Sequence, residues 1–346
     1  MVDKDYCMSS YLAFRFIVKD DKEFKEGFDH NKNKIKFAPI DTIPCKTSED
    51  LDREIKKQFD ELKGKKLGLL LSGGMDSACL ARYMKGCDAY TFRFLNGEFN
   101  QEEQKRAETY AKESGMNLHY VDINWNTVLD CVDKLMLEKC CPISIIETQI
   151  YHAIKQAQND GVELMIVGEC ADANFYGMDK LMSKDWTFDE FVNRFNFTEP
   201  SDVLKKPIDI KDYYEPYRIN ENMIDYMSFM DNLVEPPSSF YNAFKVGNME
   251  YYDPYKKLVM ADKVDLNRIR NGEPKYMIRG LFEICYPNLP IPNKLPMPRP
   301  VDYYFKDWKG PTRPEFKENL DMTKFTGNQK WQIWCLERFL NNIDQQ

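Results

Sequence analysis

The sequence predicts an α/β protein in which a doubly wound parallel sheet precedes a mostly helical C-terminal part. Three observations support this fold class. Between residues 61 and 185, short apolar runs typical of buried strands alternate with stretches of helical periodicity. A polar turn containing two glycines directly follows one of these apolar runs. After about residue 180 the pattern changes to aromatic-rich segments that favour helices.

The N-terminal segment predicts two strands and a helix. Residues 11–18 (YLAFRFIV) are typical of a strand, and residues 34–39 predict a second one. A helix follows, with Ser48 as its N-cap and Gly64 as its C-terminal stop. Its apolar stripe consists of Leu51, Ile55, Phe59 and Leu62.

The central segment predicts repeated strand–helix units, which form parallel sheets. Asn100 and Glu103 match a capping box that begins one of these helices, and Gly115 ends it. The predicted strands are residues 67–71, 89–94, 118–123 and 162–168, and the other predicted helices are residues 77–85, 126–138 and 147–159.

The chain is therefore divided into three predicted parts. Residues 1–60 form short strands and a helix that pack on the core, and residues 61–185 form the α/β core. Residues 186–346 form a mostly helical part, with a last helix at 331–340. The proline-rich stretch at 286–300 excludes a regular helix or a central strand there.

Composition narrows the class of protein. The net charge of -8 argues against sequence-independent binding of nucleic acid, which needs a basic face. No apolar run is long enough to span a membrane, and the first ten residues lack the layout of a signal peptide. We therefore expect a cytoplasmic protein whose ten cysteines are reduced. The cysteines and the three histidines show no metal-ligand spacing, so no structural zinc site is expected.

The turn SGGMDS (72–77) is the strongest candidate for a ligand site. Its glycines let backbone N–H groups approach an anion, and the hydroxyl groups of Ser72 and Ser77 are further donors. Asp76 would repel a bare phosphate, so it suggests a Mg²⁺ ion between the two. An ordinary strand–turn–helix connection is the alternative. A second acidic segment, GECAD (168–172), follows the fourth strand of the α/β core, and ligands of parallel sheets bind at such strand ends.

LSGGMDS resembles the SGGxDS motif of the PP-loop ATP pyrophosphatase superfamily, which cleaves ATP between the α and β phosphates and adenylates a substrate. The resemblance implies that ATP is bound by Leu71, Ser72, Gly73, Gly74, Asp76 and Ser77. It also implies that Thr91 and Phe92, on the next strand, contact the adenine. Glu102 and Glu103 fall where the family carries an acidic pair, although such residues are more often a capped helix start than a site.

VGECADANFYGMDK (167–180) is similar to the GEGADE-x-FGGY segment of asparagine synthetases. The resemblance implies that Gly168 contributes to the ATP site, that Glu169 acts on the attacking amine, and that Asp172 binds Mg²⁺ together with Asp76. A helix-start acidic cap is the alternative for either carboxylate. The segment departs from the family at Cys170, at Ala173 and in FYGM, which leaves the acceptor open.

Two weaker similarities follow in the same order. EPKYMIR (273–279) resembles a family segment whose lysine, here Lys275, steadies phosphate charge as a catalytic residue, and Arg279 is interpreted as structural. GNMEYYDPYKKL (247–258) retains Glu250 and Pro254 of another segment but has Tyr252 in place of an arginine.

The family's glutaminase half, with its N-terminal cysteine, is not expected here, because only 71 residues precede Ser72 and residue 2 is valine. The resemblance thus implies a stand-alone, Mg²⁺- and ATP-dependent carbon–nitrogen ligase of the asparagine synthetase type. It also implies that residues 61–185 are a PP-loop nucleotide-binding core and that residues 186–346 complete the acceptor site. The partners of this ligase would be a small carboxylate and ammonia or an amine, with a separate glutaminase subunit as one nitrogen source. Oligomerisation stays open, and neither nucleic acid nor a membrane is expected.

Three alternatives stay open. One is another adenylating reaction of the superfamily, such as sulfur insertion, although no cysteine motif supports it. The second is a non-catalytic nucleotide sensor, which Ala173 and Tyr252 would favour. The third is a subunit that serves as a scaffold for a glutaminase.

Overall fold

The computed structural model describes residues 1–31, 41–97, 101–232, 238–295 and 299–346, so the strand predicted at 34–39 lies outside the described residues. Within the described residues, no helix has the length and apolarity needed to cross a membrane. The strands are β1 (Ile43–Cys45), β2 (Leu67–Leu70), β3 (Asp88–Phe94), β4 (Asn117–Ile123), β5 (Leu164–Ile166), β6 (Tyr251–Tyr252) and β7 (Leu258–Met260). The helices of the first half are α1 (Lys4–Phe14), α2 (Ser48–Glu61), α3 (Met75–Ala81), α4 (Glu102–Ser114), α5 (Trp125–Lys139), α6 (Ile145–Asn159) and α7 (Ala171–Asn174). Those of the second half are α8 (Phe188–Phe195), α9 (Pro200–Val203), α10 (Tyr226–Asn232), α11 (Ser239–Gly247), α12 (Leu266–Arg270), α13 (Tyr276–Cys285), α14 (Val301–Tyr304) and α15 (Gly327–Asp344).

Five strands form one parallel sheet in the order β4-β3-β2-β5-β6, which confirms the predicted fold class. The chain moves outward from β2 to β4 and then returns to the other side of β2 with β5. The order in which the chain adds strands therefore reverses between β2 and β5, and ligands of such folds bind at this point. The segments SGGMDS and GECAD follow these two neighbouring strands, so the topology brings them side by side.

The two faces of the sheet are covered by different helices. Leu67, Leu69 and Leu71 lie in one core with apolar residues of α2, α3, α4 and α13. On the other face, residues of α6 and α11 share a core with Tyr90 and Met165. A side chain at Gly68 would place its Cβ 2.7 Å from the sulfur of Met165, so glycine is needed for this close packing.

A third core joins α1 to α5, α8 and α15, and it corrects the prediction for the N-terminus. The strand predicted at residues 11–18 is wrong, because α1 extends to Phe14. Asp3 begins this helix by accepting a hydrogen bond from the N–H of Tyr6 at 3.1 Å. The run from Tyr6 to Phe14 is buried throughout, and such runs show no period that separates a buried helix from a buried strand.

Two predicted helix starts are displaced. The N-cap of α2 is Thr47 rather than Ser48, and its hydroxyl accepts a hydrogen bond from the N–H of Asp50 at 3.2 Å. The helix α4 has Gln101 as its N-cap and no capping hydrogen bond, while Asn100 lies outside the described residues. Glu103 does not cap α4 and packs instead against Gly73 in the SGGMDS turn.

Candidate active site

A cavity of about 850 Å³ opens where loops after β2 and β5 meet loops of the C-terminal half. All of the residues predicted for the site line it, so the fold brings together segments almost two hundred residues apart. They are Leu71, Ser72, Gly73, Gly74, Asp76, Ser77, Thr91, Phe92, Gly168, Glu169, Asp172 and Lys275. Their roles stay predictions, but their proximity is a structural fact.

The SGGMDS turn is held in shape by its own serines. The N–H of Ser72 donates to Oγ of Ser77 at 3.0 Å, and the two hydroxyl oxygens are also 3.0 Å apart. The N–H of Gly74 donates to Oγ of Ser72 at 3.1 Å. These hydrogen bonds fix the conformation of the turn, which reduces the entropy lost on ligand binding.

Glu103, in the first turn of α4, packs against this turn and also lines the cavity. A Cβ atom at Gly73 would lie only 2.6 Å from the carbonyl oxygen of Glu103, so only glycine allows this contact. Burial raises the pKa of the Glu103 carboxyl to about 7, against the smaller opposing effects of the Gly73 N–H and Arg106. Its Oε2 atom is buried and has no hydrogen-bond partner in the described part of the chain.

Replacing Glu103 by Gln should remove a pH dependence from folding stability. The pKa of about 7 in the folded protein exceeds the ordinary 4.5, so the folded state binds this proton more tightly than the unfolded state does. The stabilising contribution of the bound proton to the free energy of unfolding is therefore full below pH 4.5 and is lost as the pH rises through 7. Relative to E103Q, the parent should lose on the order of 2–3 kcal/mol of unfolding free energy across this window in denaturant titrations. The control E102Q, at an exposed neighbour, should follow the parent. Parallel profiles for the parent and E103Q would contradict the prediction.

Lys275 links the two acidic segments at the centre of the site. Its Nζ atom lies 2.7 and 2.6 Å from the two carboxylate oxygens of Asp76, and it also forms an ion pair with Asp172. The Lys275 side chain is only 6% exposed. Its backbone has φ +51°, in the left-handed region that non-glycine residues adopt infrequently.

The two carboxyl groups differ in their pKa values. Burial raises the pKa of Asp76 above its ordinary value and outweighs the opposing effect of Lys275. Burial acts in the same direction on Asp172, but Lys275 and Lys294 outweigh it and lower that pKa. The pKa values differ because the side chain of Asp172 is more exposed than that of Asp76, 44% against 24%, and because Asp172 has a second lysine, Lys294, beside it.

Asp76 and Asp172 fit a divalent cation. Both reach a single positive atom, Nζ of Lys275, so their oxygens converge on a point that can hold a cation. Within the described residues no group of three or more acidic, histidine or cysteine side chains could hold a metal alone. Two carboxylates suit Mg²⁺, which commonly completes its shell with phosphates and water.

Gly177 and Lys294 shape the same corner of the cavity. A Cβ atom at Gly177 would lie 1.8 Å from Oδ1 of Asp172 and 2.1 Å from Cε of Lys275, so the ion pair excludes any side chain there. Lys294 donates to the carbonyl oxygen of Gly177 at 3.0 Å and lies 3.3 Å from Oδ1 of Asp172. The sequence offered little sign of Lys294, since it lies in the irregular proline-rich stretch.

Asp253 holds the segment that carries Glu169. The nearly buried Asp253 carboxylate accepts hydrogen bonds from the N–H of Cys170 at 2.7 Å and from the N–H of Tyr255 at 2.9 Å. Burial raises the pKa of Asp253 to about 6 despite these hydrogen bonds. The hydroxyl of Tyr255 donates to the carbonyl oxygen of Asp76 at 2.9 Å, so one buried turn supports both motifs.

Other sequence interpretations have mixed outcomes. Tyr252, which stands in place of the family's arginine, donates its hydroxyl to Gln58 at 2.6 Å and is not part of the cavity lining. Arg279, interpreted as structural, lines the cavity. Apolar residues of α6 and the start of α11 form a further wall that no motif indicated, namely Ile146, Ile150 and Phe240.

Comparison with known proteins identifies the family of the chain. The family model of asparagine synthase matches residues 48–226, just over half of the chain. No curated protein sequence matches. Similar solved structures include the U34-tRNA thiolase NcsA from Methanococcus maripaludis, with 12% identity, coverage of 85% of this chain and 80% of that chain, and a TM-score of 0.31. For NMN synthetase from Francisella tularensis the identity is 10%, the coverage 72% and 96%, and the TM-score 0.28. A predicted subunit of a tRNA methyltransferase from Methanocaldococcus jannaschii has 14% identity, coverage of 64% and 87%, and a TM-score of 0.24. These values support no conclusion about activity.

The SGGMDS turn at the point where the sheet reverses, together with the family match, defines an ATP-dependent adenylating enzyme. More specifically, the chain belongs to the asparagine synthase family.

Proposed function

We propose that this chain is an ATP-dependent amide ligase that joins a small carboxylic acid to ammonia or an amine and releases AMP and pyrophosphate. The observation that supports this most is the convergence of the SGGMDS turn, the Lys275–Asp76–Asp172 cluster and Glu169 on one cavity. A volume of about 850 Å³ is sufficient for a nucleotide and a small second substrate.

In the first step an oxygen of the substrate carboxylate attacks the α-phosphorus of ATP, and the bond from that phosphorus to pyrophosphate breaks. We assign the ammonium of Lys275 and the hydroxyl groups of Ser72 and Ser77, all of which line the cavity, to meet the charge on the departing pyrophosphate. Asp76 and Asp172 would hold Mg²⁺, which neutralises phosphate charge when it is bound.

In the second step the nitrogen nucleophile attacks the acyl carbon, and AMP leaves. The amine loses a proton, for which the Glu169 carboxylate is the candidate acceptor. Asp253 would keep Glu169 in place through the backbone of the adjacent Cys170. Phe240, Ile269 and Arg270 of the C-terminal half line the same cavity, which supports the proposal that residues 186–346 complete the acceptor site.

Sulfur insertion is less well supported than amide formation. Among the described residues that line the cavity there is no cysteine to carry a persulfide. Cys170 is the nearest in sequence to Glu169, and burial keeps the pKa of its thiol well above the usual range, which disfavours the reactive thiolate.

Hydroxylamine trapping tests the proposal without knowledge of the natural amine. Protein, Mg·ATP, hydroxylamine and a panel of small carboxylates should yield a hydroxamate and equal amounts of AMP and pyrophosphate with a suitable acid. Oxygen-18 in the acid carboxylate should appear in the phosphate of AMP. ADP and inorganic phosphate as products would refute adenylation, and label that stays out of AMP would refute attack by the carboxylate. Replacing hydroxylamine by ammonium or by glutamine then identifies the nitrogen source.

A further inference from the structure

Glu103 brings an unused hydrogen-bonding atom to the SGGMDS turn. Its carboxyl group accepts a hydrogen bond from the N–H of Gly73. Oε2 is buried and has no hydrogen-bond partner among the residues that the structure describes, so Oε1 is the acceptor. Glu103 and Gly73 both line the cavity, and Oε2 therefore lies where the turn borders it. A buried polar atom without a partner is unfavourable unless another molecule satisfies it.

The surroundings of Glu103 favour its neutral form. Burial has the largest effect and raises the pKa of the carboxyl to about 7, against smaller effects of the Gly73 N–H and of Arg106 on α4. The charged groups on the far side of the turn, Asp76 and Lys275, are not among those that shift this pKa. Near neutral pH a large share of the molecules therefore carries a protonated Glu103, whose O–H can donate a hydrogen bond.

We propose that Glu103 binds the nucleotide as a neutral acid, donating a hydrogen bond from Oε2 to an oxygen of the β,γ-pyrophosphate of ATP. An ionised carboxylate has no proton to donate and repels phosphate charge, so only the protonated form suits this position. Oε1 keeps the N–H of Gly73 and holds the donor against the turn. The proton stays on Glu103 while the hydrogen bond meets the charge that grows on the leaving pyrophosphate. The choice of ATP as the ligand rests on the proposed function.

Calorimetric titration of a non-hydrolysable ATP analogue with Mg²⁺ tests this inference without turnover. In the parent, the dissociation constant should be constant below pH 7 and rise about tenfold per pH unit above it, because binding then requires Glu103 to take up a proton. E103Q keeps a neutral donor of the same size. Its affinity should match that of the parent at pH 6 and exceed it about tenfold at pH 8.

Proton uptake gives a second readout of the same titrations. At pH 8 the parent should take up nearly one proton more per nucleotide than E103Q, which is measured in buffers of different ionisation enthalpy. The control E113Q changes an exposed glutamate near the end of α4, far from the turn, and should follow the parent in affinity and in proton uptake. Equal proton uptake by the parent and E103Q would overturn the inference.

Removal of the donor separates a hydrogen bond from a merely nearby charge. E103M keeps much of the side-chain volume and should bind the analogue about 10- to 100-fold more weakly than E103Q at pH 6. Binding by E103M as tight as that by E103Q, or tighter, would overturn the inference. Where E103M does not fold, the comparison of the parent with E103Q decides. Equal proton uptake refutes the neutral acid even where hydroxamate formation upholds the ligase, and extra uptake by the parent supports it even where no acid is adenylated.

Discussion

Replacing Asp76 by Asn is expected to reduce pyrophosphate release by about 1,000-fold or more while leaving the protein folded. The variant keeps the size of the side chain but removes one of the two negative charges that converge on Nζ of Lys275. In the proposed mechanism this charge holds the divalent cation beside the phosphates. Losses of this size follow when electrostatic stabilisation of the transition state is removed from an active site.

Folding stability should change little in D76N, because two effects oppose each other. Burial raises the pKa of Asp76 despite the neighbouring Lys275, so the negative charge of this carboxylate opposes folding. Lys275 loses one partner but retains Asp172. We expect the free energy of unfolding to change by less than about 2 kcal/mol in denaturant titrations. Removal of the buried charge favours the folded state, and loss of the ion pair with Lys275 disfavours it.

The control for D76N is D60N, which removes a carboxylate at an exposed position on α2 and breaks only a surface ion pair with Lys63. Pyrophosphate release and the dependence of the rate on Mg²⁺ concentration should be unchanged in D60N. A D76N variant that retains more than a tenth of the parent activity would show that the cation is held elsewhere. A variant that is inactive and also unfolded would show a structural rather than a functional role.

Most of the sheet was predictable because its strands are continuous apolar runs bounded by glycine or polar turns. The strands near residues 67, 89, 118 and 162 all lie where the pattern indicates them. The strands β1, β6 and β7 were missed because they are two or three residues long and, unlike β5, do not lie in a longer apolar run such as residues 162–168. The N-terminal helix was mistaken for a strand since nearly every residue in it is buried.

The residues of the site were predictable where a motif follows a strand of the sheet. The topology then brings two such motifs together, and Lys275 joins them from a third segment. Asp253 could not be predicted in the same way, and Glu103 was indicated only as one of an acidic pair for which a capped helix start was the preferred interpretation. Their importance comes from burial and from unsatisfied or shared hydrogen bonds, which are properties of the packed chain and not of the local sequence.

The Lys275 cluster places one cation between two carboxylates. The ammonium of Lys275 neutralises Asp76 and Asp172. In the proposed mechanism the same two carboxylates would hold Mg²⁺, so the ammonium and the metal ion would compete for them. The absence of a side chain at Gly177 leaves the lysine room beside Asp172.

Replacing Lys275 by Met should therefore have two opposite effects. Pyrophosphate release should fall by about 1,000-fold, because a buried cation no longer meets the phosphate charge. In the absence of nucleotide, Mn²⁺ used as a probe in electron paramagnetic resonance titrations should bind about tenfold more tightly or better, because the ammonium no longer competes for the two carboxylates. Thermal stability should also fall without a divalent cation, since Asp76 loses its counter-charge, and Mg²⁺ should restore much of it.

Lys294 provides the matched control, since its Nζ lies 3.3 Å from the same Asp172 but its side chain is 56% exposed. K294M should change both the rate and Mn²⁺ binding less than about tenfold, because solvent already screens that charge. K275R tests geometry, because it keeps the charge but needs more space than Gly177 leaves beside Cε of Lys275. If Mn²⁺ binds K275M no more tightly than the parent, Lys275 does not occupy the cation position, and its role is confined to the phosphates.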